Sequence, residues 1–141
     1  MASDTQVQSP NEKGHSAPCS DRDYDFFYRG LEQQRLLVLK CRRCGAMRNP
    51  PAPRCGQCQS FESDELELRG TGALHSWIVH CHPPVPGFIA PFAVGLVNID
   101  EGVRMLGAMD ETPPEELEIG MRVTTEFVRR GDVTLFRFKK A

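Results

Sequence analysis

The chain has 141 residues, 40% of them hydrophobic and 26% charged. That is the balance of a soluble globular protein, with length for one medium domain or two very small ones sharing a core. The net charge of -2 gives no global electrostatic case for nucleic acid or an anionic membrane, and no apolar run approaches the ~20 residues that span a bilayer.

Residues 1–20, "MASDTQVQSPNEKGHSAPCS", are polar and lack the apolar core of a secretory signal. They hold too little apolar surface to offset chain ordering, so the expectation is a disordered tail in a cytoplasmic protein. Cys19 lies in it, away from any partner motif, and is assigned no role. In the cytoplasm thiols stay reduced, so paired cysteines point to metal before disulfide.

Residues 22–34, "RDYDFFYRGLEQQ", follow helical spacing. Tyr24, Phe27, Tyr28 and Leu31 fall at i, i+3, i+4 and i+7 and make one apolar face, with Asp21 or Asp23 as a cap. Gly30 weakens the helix by roughly 1 kcal/mol against Ala. Two readings of this face stand open, a core-facing helix and a docking helix for a partner. "RLLVLKC" then reads as a strand feeding a metal knuckle.

The stretch "CRRCGAMRNPPAPRCGQC" carries Cys41, Cys44, Cys55 and Cys58 as two C-x-x-C pairs. Thiolate is a preferred donor for zinc, which takes four ligands at tetrahedral angles, and each pair brings two sulfurs to one ion. Gly45 permits the tight turn after the first pair, and Gly56 is expected to do a similar job in the second. Four thiolates leave no open position for substrate or water, so the ion is expected to be structural. Lys40, Arg42, Arg43, Arg48 and Arg54 form a basic patch here. It is either a solvated surface or a contact for an acidic partner, cofactor phosphates or nucleic acid.

From Leu66 onward five strand-like runs follow, "LELRGTGALHSWIV", "PFAVGLVNI", "VRMLGAM", "MRVTTEFVRR" and "VTLFRFKK", separated by turn residues. Met121, Val123 and Phe127 share one face, as do Phe136 and Phe138. Gly70 and Gly72 suggest a bulge or bend in the first strand. One longer, weakly helical connection over 112–120 suits an OB-type Greek-key barrel, and an open sandwich also fits the strand count. The expected architecture is α+β, mainly β: a helix over 21–35, a zinc ribbon over 36–65 and a five-stranded OB barrel over 66–141.

Between the first two barrel runs lies "HCHPPVPGFIAPF". Adjacent residues on a strand face opposite ways, so His80, Cys81 and His82 make a poor nucleophile arrangement. A proline-braced loop keeps its shape and suits recognition. Val85, Phe88, Ile89 and Phe92 offer apolar surface for an acyl or pantetheine-like chain, or for a partner.

Taken together, the four-cysteine ribbon with "PP" in its loop, the "GTGALHSW" entry strand, "PPVPGFIAPF", "VNIDEGVRMLG" and "LEIGMRV" resemble one family. It is the bacterial and archaeal zinc-ribbon/OB-fold proteins long filed as a domain of unknown function and linked to acyl-CoA metabolism. The similarity covers roughly residues 22–139. It implies a rubredoxin-like ribbon beside an OB barrel, with Cys41, Cys44, Cys55 and Cys58 holding structural Zn2+. It also implies a non-catalytic accessory subunit in a hetero-oligomer with a thiolase-fold enzyme or a MaoC-like hydratase. The chemistry implied is acyl transfer, Claisen or retro-aldol chemistry on CoA thioesters, such as phloroglucinol acylation or steroid side-chain degradation. Trp77, His82, Pro84, Phe88, Phe92, Arg42 and Arg43 are candidate contacts for acyl-CoA or the partner; Tyr24, Phe27, Tyr28 and Leu31 are the candidate docking helix. The alternative is an OB-fold single-stranded nucleic-acid binder, stacking bases on Trp77, Phe88, Phe92, Phe136 and Phe138. Negative net charge and the four glutamates of "ETPPEELE" speak against it.

Overall fold

A computed structural model describes residues 21–141, so the tail over 1–20 and Cys19 lie outside the described residues. The aromatic segment forms one short helix, α1 (Asp25–Glu32). The Asp21 carboxylate precedes it, accepting the N–H groups of Asp23 at 3.0 Å and Tyr24 at 3.1 Å. The helix stops where Gln34 turns left-handed (φ 56). The Gln34 N–H reaches the Leu31 carbonyl and the Arg35 N–H the Gly30 carbonyl, the paired bonds of a Schellman ending. Gly30 has a packing reason: a Cβ there would stand 2.7 Å from Leu37 Cδ1 and 3.0 Å from the Arg35 carbonyl oxygen.

Three strands make the ribbon sheet, in the order β2-β1-β3: β1 (Leu36–Cys41), β2 (Met47–Arg48) and β3 (Ser63–Leu68). The run that reads in sequence as one strand from Leu66 is two. Its first part belongs to β3, which pairs antiparallel with β1 from Leu36↔Leu68 to Cys41↔Ser63. The chain breaks at Arg69–Gly70 before entering β4 (Thr71–His80). The barrel closes in the order β4-β5-β6-β8-β7, with β5 (Phe92–Ile99), β6 (Arg104–Met109), β7 (Arg122–Arg130) and β8 (Val133–Lys140). Gly70, with φ 77, makes the bend at the Arg69–Gly70 break, a bulge of β4 falls between Leu74 and Ser76, and the 112–120 connection holds one 3-10 turn, Pro114–Glu116. The barrel's parallel seam is narrow, a single β6–β8 bridge at Ala108↔Arg137.

The three units share one core. Phe27 and Leu31 come from the helix, Leu36, Val38 and Leu68 from the ribbon sheet, and Leu74, Val97, Met105, Val123 and Phe138 from the barrel. Phe27 meets Phe136 edge-on, with ring centroids 5.8 Å apart. Outside the core, charged pairs tie elements far apart in sequence. Glu32 accepts the Thr134 N–H at 2.7 Å and pairs with Arg129 at 2.8 Å, joining α1 to the β7–β8 hairpin. Asp110 receives both Arg130 and Arg137 beside the seam. Among the described residues no helix is long and apolar enough to cross a membrane.

Candidate functional site

The two C-x-x-C pairs form matching turns. In the first, the Gly45 N–H donates to the Cys41 carbonyl at 3.0 Å and the Cys41 N–H to the Ala46 carbonyl at 2.8 Å. In the second, the Gln59 N–H donates to the Cys55 carbonyl at 3.1 Å and the Cys55 N–H to the Ser60 carbonyl at 2.8 Å. The left-handed residue is Gly45 (φ 76) in one and Gln59 (φ 68) in the other. The counterpart of Gly45 is therefore Gln59. Gly56, expected from sequence to take that job, has no positive φ and nothing within 4 Å of where its Cβ would be.

These turns bring the sulfurs of Cys41, Cys44, Cys55 and Cys58 within 4.8 Å of one another. The closest approaches are Cys41–Cys58 at 3.5 Å and Cys44–Cys55 at 3.6 Å, too long for disulfide bonds. A tetrahedral ion with metal–sulfur bonds of about 2.3 Å needs sulfurs about 3.8 Å apart, so the four fit one thiolate-bound metal ion. Backbone N–H groups already point at them. The Cys44 N–H, and after it that of Arg43, outweighs burial and holds the Cys41 thiol down to about 6. The N–H groups of Cys58 and Gln57 lower Cys55 likewise. The Ala46 N–H draws Cys44 down, but partial desolvation of its sulfur and the hydrogen bonds to the Cys55, Cys58 and Cys41 sulfurs push it up to about 11. Thiolates this close repel one another, and a bound cation offsets that repulsion. Cys41 and Cys55 are buried; Cys44 is exposed and Cys58 half-buried.

The basic patch is smaller than the sequence suggests. Arg42 is paired with Asp64 at 2.7 Å. Arg48 is buried on β2, with all three guanidinium nitrogens lacking a hydrogen-bond partner. Lys40, Arg43 and Arg54 remain exposed.

The proline loop over 81–91 is pinned from beneath. Phe88 stacks on Phe92 with centroids 4.6 Å apart, and Arg130 lies over Phe88 at 4.9 Å while reaching the Gly87 carbonyl at 3.2 Å. His80 meets the Pro83 carbonyl at 2.6 Å. Phe92 is buried and Trp77 packs against the core, so neither offers a ligand much surface, whereas His82, Pro84 and Ile89 face solvent. Phe138 is fully buried and Phe136 packs on the core, which removes two of the five aromatics from base stacking. On the helix, Phe27 and Leu31 are covered by the chain itself, while Tyr24 and Tyr28 are half-buried. Sequence reasoning passed over Arg130 and Asp110. Their positions beside the β7–β8 turn and the β6 end gave no motif, and only the fold brings them to the loop.

Residues 65–128 match the family model described as ChsH2, C-terminal OB-fold domain. A DUF35 domain-containing scaffold protein of Methanocaldococcus jannaschii is 30% identical over 100 residues, 70% of this chain and 71% of that protein. The chain belongs to the DUF35 family. Another relative, a probable enoyl-CoA hydratase alpha subunit of Thermomonospora curvata, is 38% identical over 88% of this chain, which spans 39% of that longer protein. Among solved DUF35 structures, a chain of the Ltp2-ChsH2(DUF35) aldolase superposes with a TM-score of 0.82 at 37% identity, covering 88% of this chain and 98% of that one.

Proposed function

We propose that this DUF35 protein is a non-catalytic accessory subunit of an acyl-CoA-processing complex. It docks on a thiolase-fold enzyme, with a MaoC-like hydratase as the second partner class, and works in the cytoplasm. The bound ion is zinc, and its role is structural, because four thiolates fill its coordination shell. The partner performs retro-aldol, Claisen or acyl-transfer chemistry on a CoA thioester. The observation that carries this reading is the match, at 37% identity, to 98% of a chain in the Ltp2-ChsH2(DUF35) aldolase. Contact with the acyl-CoA falls to the exposed His82 and Pro84 of the pinned loop, and to Arg43, which has no acidic partner among the described residues.

The test is purification of the tagged chain from its source organism. An enzyme of the thiolase or hydratase class is expected in stoichiometric amount, with about one zinc per chain. That enzyme, stripped of the chain, is expected to lose activity or solubility and to regain it on adding the chain back. A lone monomer beside a fully active enzyme would overturn the proposal.

A further inference from the structure

The outer face of strands β4, β5 and β6 is apolar where the barrel meets water. Register places Ile78 opposite Val94 and Val94 opposite Ala108 in one row, and Leu96 opposite Leu106 in the next. Ile78 is 66% and Leu106 63% exposed. Isolated apolar side chains on a surface are ordinary, but a contiguous block across three strands marks an interaction site.

Beside this block opens a cleft of about 410 Å³ where helix, ribbon and barrel meet. Its lining includes Leu96 and Leu106 of the barrel face, Tyr24 of the helical segment, Phe136 and Pro50 of the ribbon. Arg104 stands among the lining residues. Its Nε bonds the Asn98 side-chain oxygen at 2.7 Å, and it pairs with no acid among the described residues. The cleft thus joins apolar walls to an exposed, uncompensated cation.

We propose that this cleft and the adjoining sheet face are the docking surface for the enzyme partner. The occupant is a partner segment that seats an aliphatic or aromatic side chain between Leu96 and Tyr24 and sets a carboxylate on Arg104. This rests on the accessory-subunit reading above and names its interface. Charge complementarity selects an acidic segment. Extent selects a protein over a small molecule: an acyl chain in the cleft would leave Ile78 on the far side of β5 in water. Residues 1–20 offer only Met1 and Val7 as large aliphatic side chains. A central apolar anchor beside a charged contact is the common form of an interface hot spot.

The experiment uses the acyl-CoA enzyme that co-purifies with the tagged wild-type chain, isolated and rebound to variants on a biosensor. Leu106→Asp is expected to weaken binding by ~30-fold or more, the scale of a hot-spot loss, and Arg104→Glu by ~10-fold. Phe61→Asp, at an aromatic 71% exposed on the ribbon, is expected to bind within about twofold of wild type. Leu106 and Arg104 are both exposed, so the variants keep the core, and circular dichroism checks this. Wild-type binding by Leu106→Asp and Arg104→Glu would overturn the proposal. So would protection of the β5–β6 amides in the isolated chain by a CoA thioester alone, which would make the occupant a small molecule. If no acyl-CoA enzyme co-purifies with the wild-type chain, the accessory-subunit reading itself falls and this one goes with it.

Discussion

Gly45 follows the first C-x-x-C pair and Gly56 lies inside the second, and the fold treats them differently. Gly45 holds φ 76, a conformation that costs a residue with a Cβ roughly 1–2 kcal/mol. Gly56 holds an ordinary conformation with open space around it. Gly45→Ala is therefore expected to destabilise the protein by about 1–2 kcal/mol and to speed metal loss to a chelator. Gly56→Ala is expected to change neither. Thermal melts and a colorimetric zinc-release assay on the two variants check this; equal effects would mean the turns are not as described. The sequence carries the cysteine spacing, because ligand geometry demands it. It does not show which residue after each pair turns left-handed, because Gln59 does so without any glycine to announce it. Arg48 escapes sequence reading for a similar reason. Its neighbours in the chain, Met47 and Asn49, do not announce burial, yet on β2, opposite Leu39 of β1, it is buried.

At the scale of elements, strand-like runs bounded by turn residues located the barrel strands, with alternation clear in the last two, but the run from Leu66 hid a boundary. Both of its halves are strand-like, and what separates them is partner choice: β3 follows β1, while β4 follows β5 and β7. The junction is fastened by Asp100, just beyond β5. Its carboxylate takes both terminal nitrogens of Arg122, at the head of β7, at 2.9 and 2.6 Å, and the Thr71 hydroxyl at 2.7 Å. The Arg122 bonds first, then Thr71, lower its pKa from 3.8 to about 2. The charged form is thus favoured in the folded state. Its stabilisation is complete above the unfolded value near 4 and is lost as pH falls through about 2. Asp100→Asn is expected to melt below wild type equally at pH 7 and pH 5, with the gap narrowing below pH 4 and closing near pH 2. Acid also releases metal from thiolates, but that loss is common to both proteins and cancels in the difference. A gap that stayed constant to pH 2 would remove Asp100 as its source.

Over the whole molecule the question is how far the metal's grip extends. Helix, ribbon sheet and barrel share one apolar core, yet Cys41 and Cys55, though buried, stand outside that cluster. The segment between β1 and β3 is held by the cysteine turns, the two-residue pairing of β2 with β1, and a few bonds such as Asn49 Nδ2 to the Arg104 carbonyl at 3.2 Å. It brings little apolar surface of its own; Met47, packed at the margin of the core, is the main exception. The β1–β3 ladder, by contrast, runs six residues and buries Leu36, Val38 and Leu68 in the common core. Metal removal should therefore open the ribbon tip without melting the barrel, a local opening well below the free energy of global unfolding. Hydrogen exchange after chelation is expected to show lost protection over residues 42–62, while strands β5 to β8 keep theirs. Collapse of protection in the barrel on the same timescale would show instead that the ion holds the shared core together. In that case the partner-facing cleft, whose lining includes Asn49 and Pro50 of this same tip, would depend on metal for the whole fold. On the expected outcome it depends on metal only for that part of its lining, and the chelated protein should then bind its partner weakly while remaining folded.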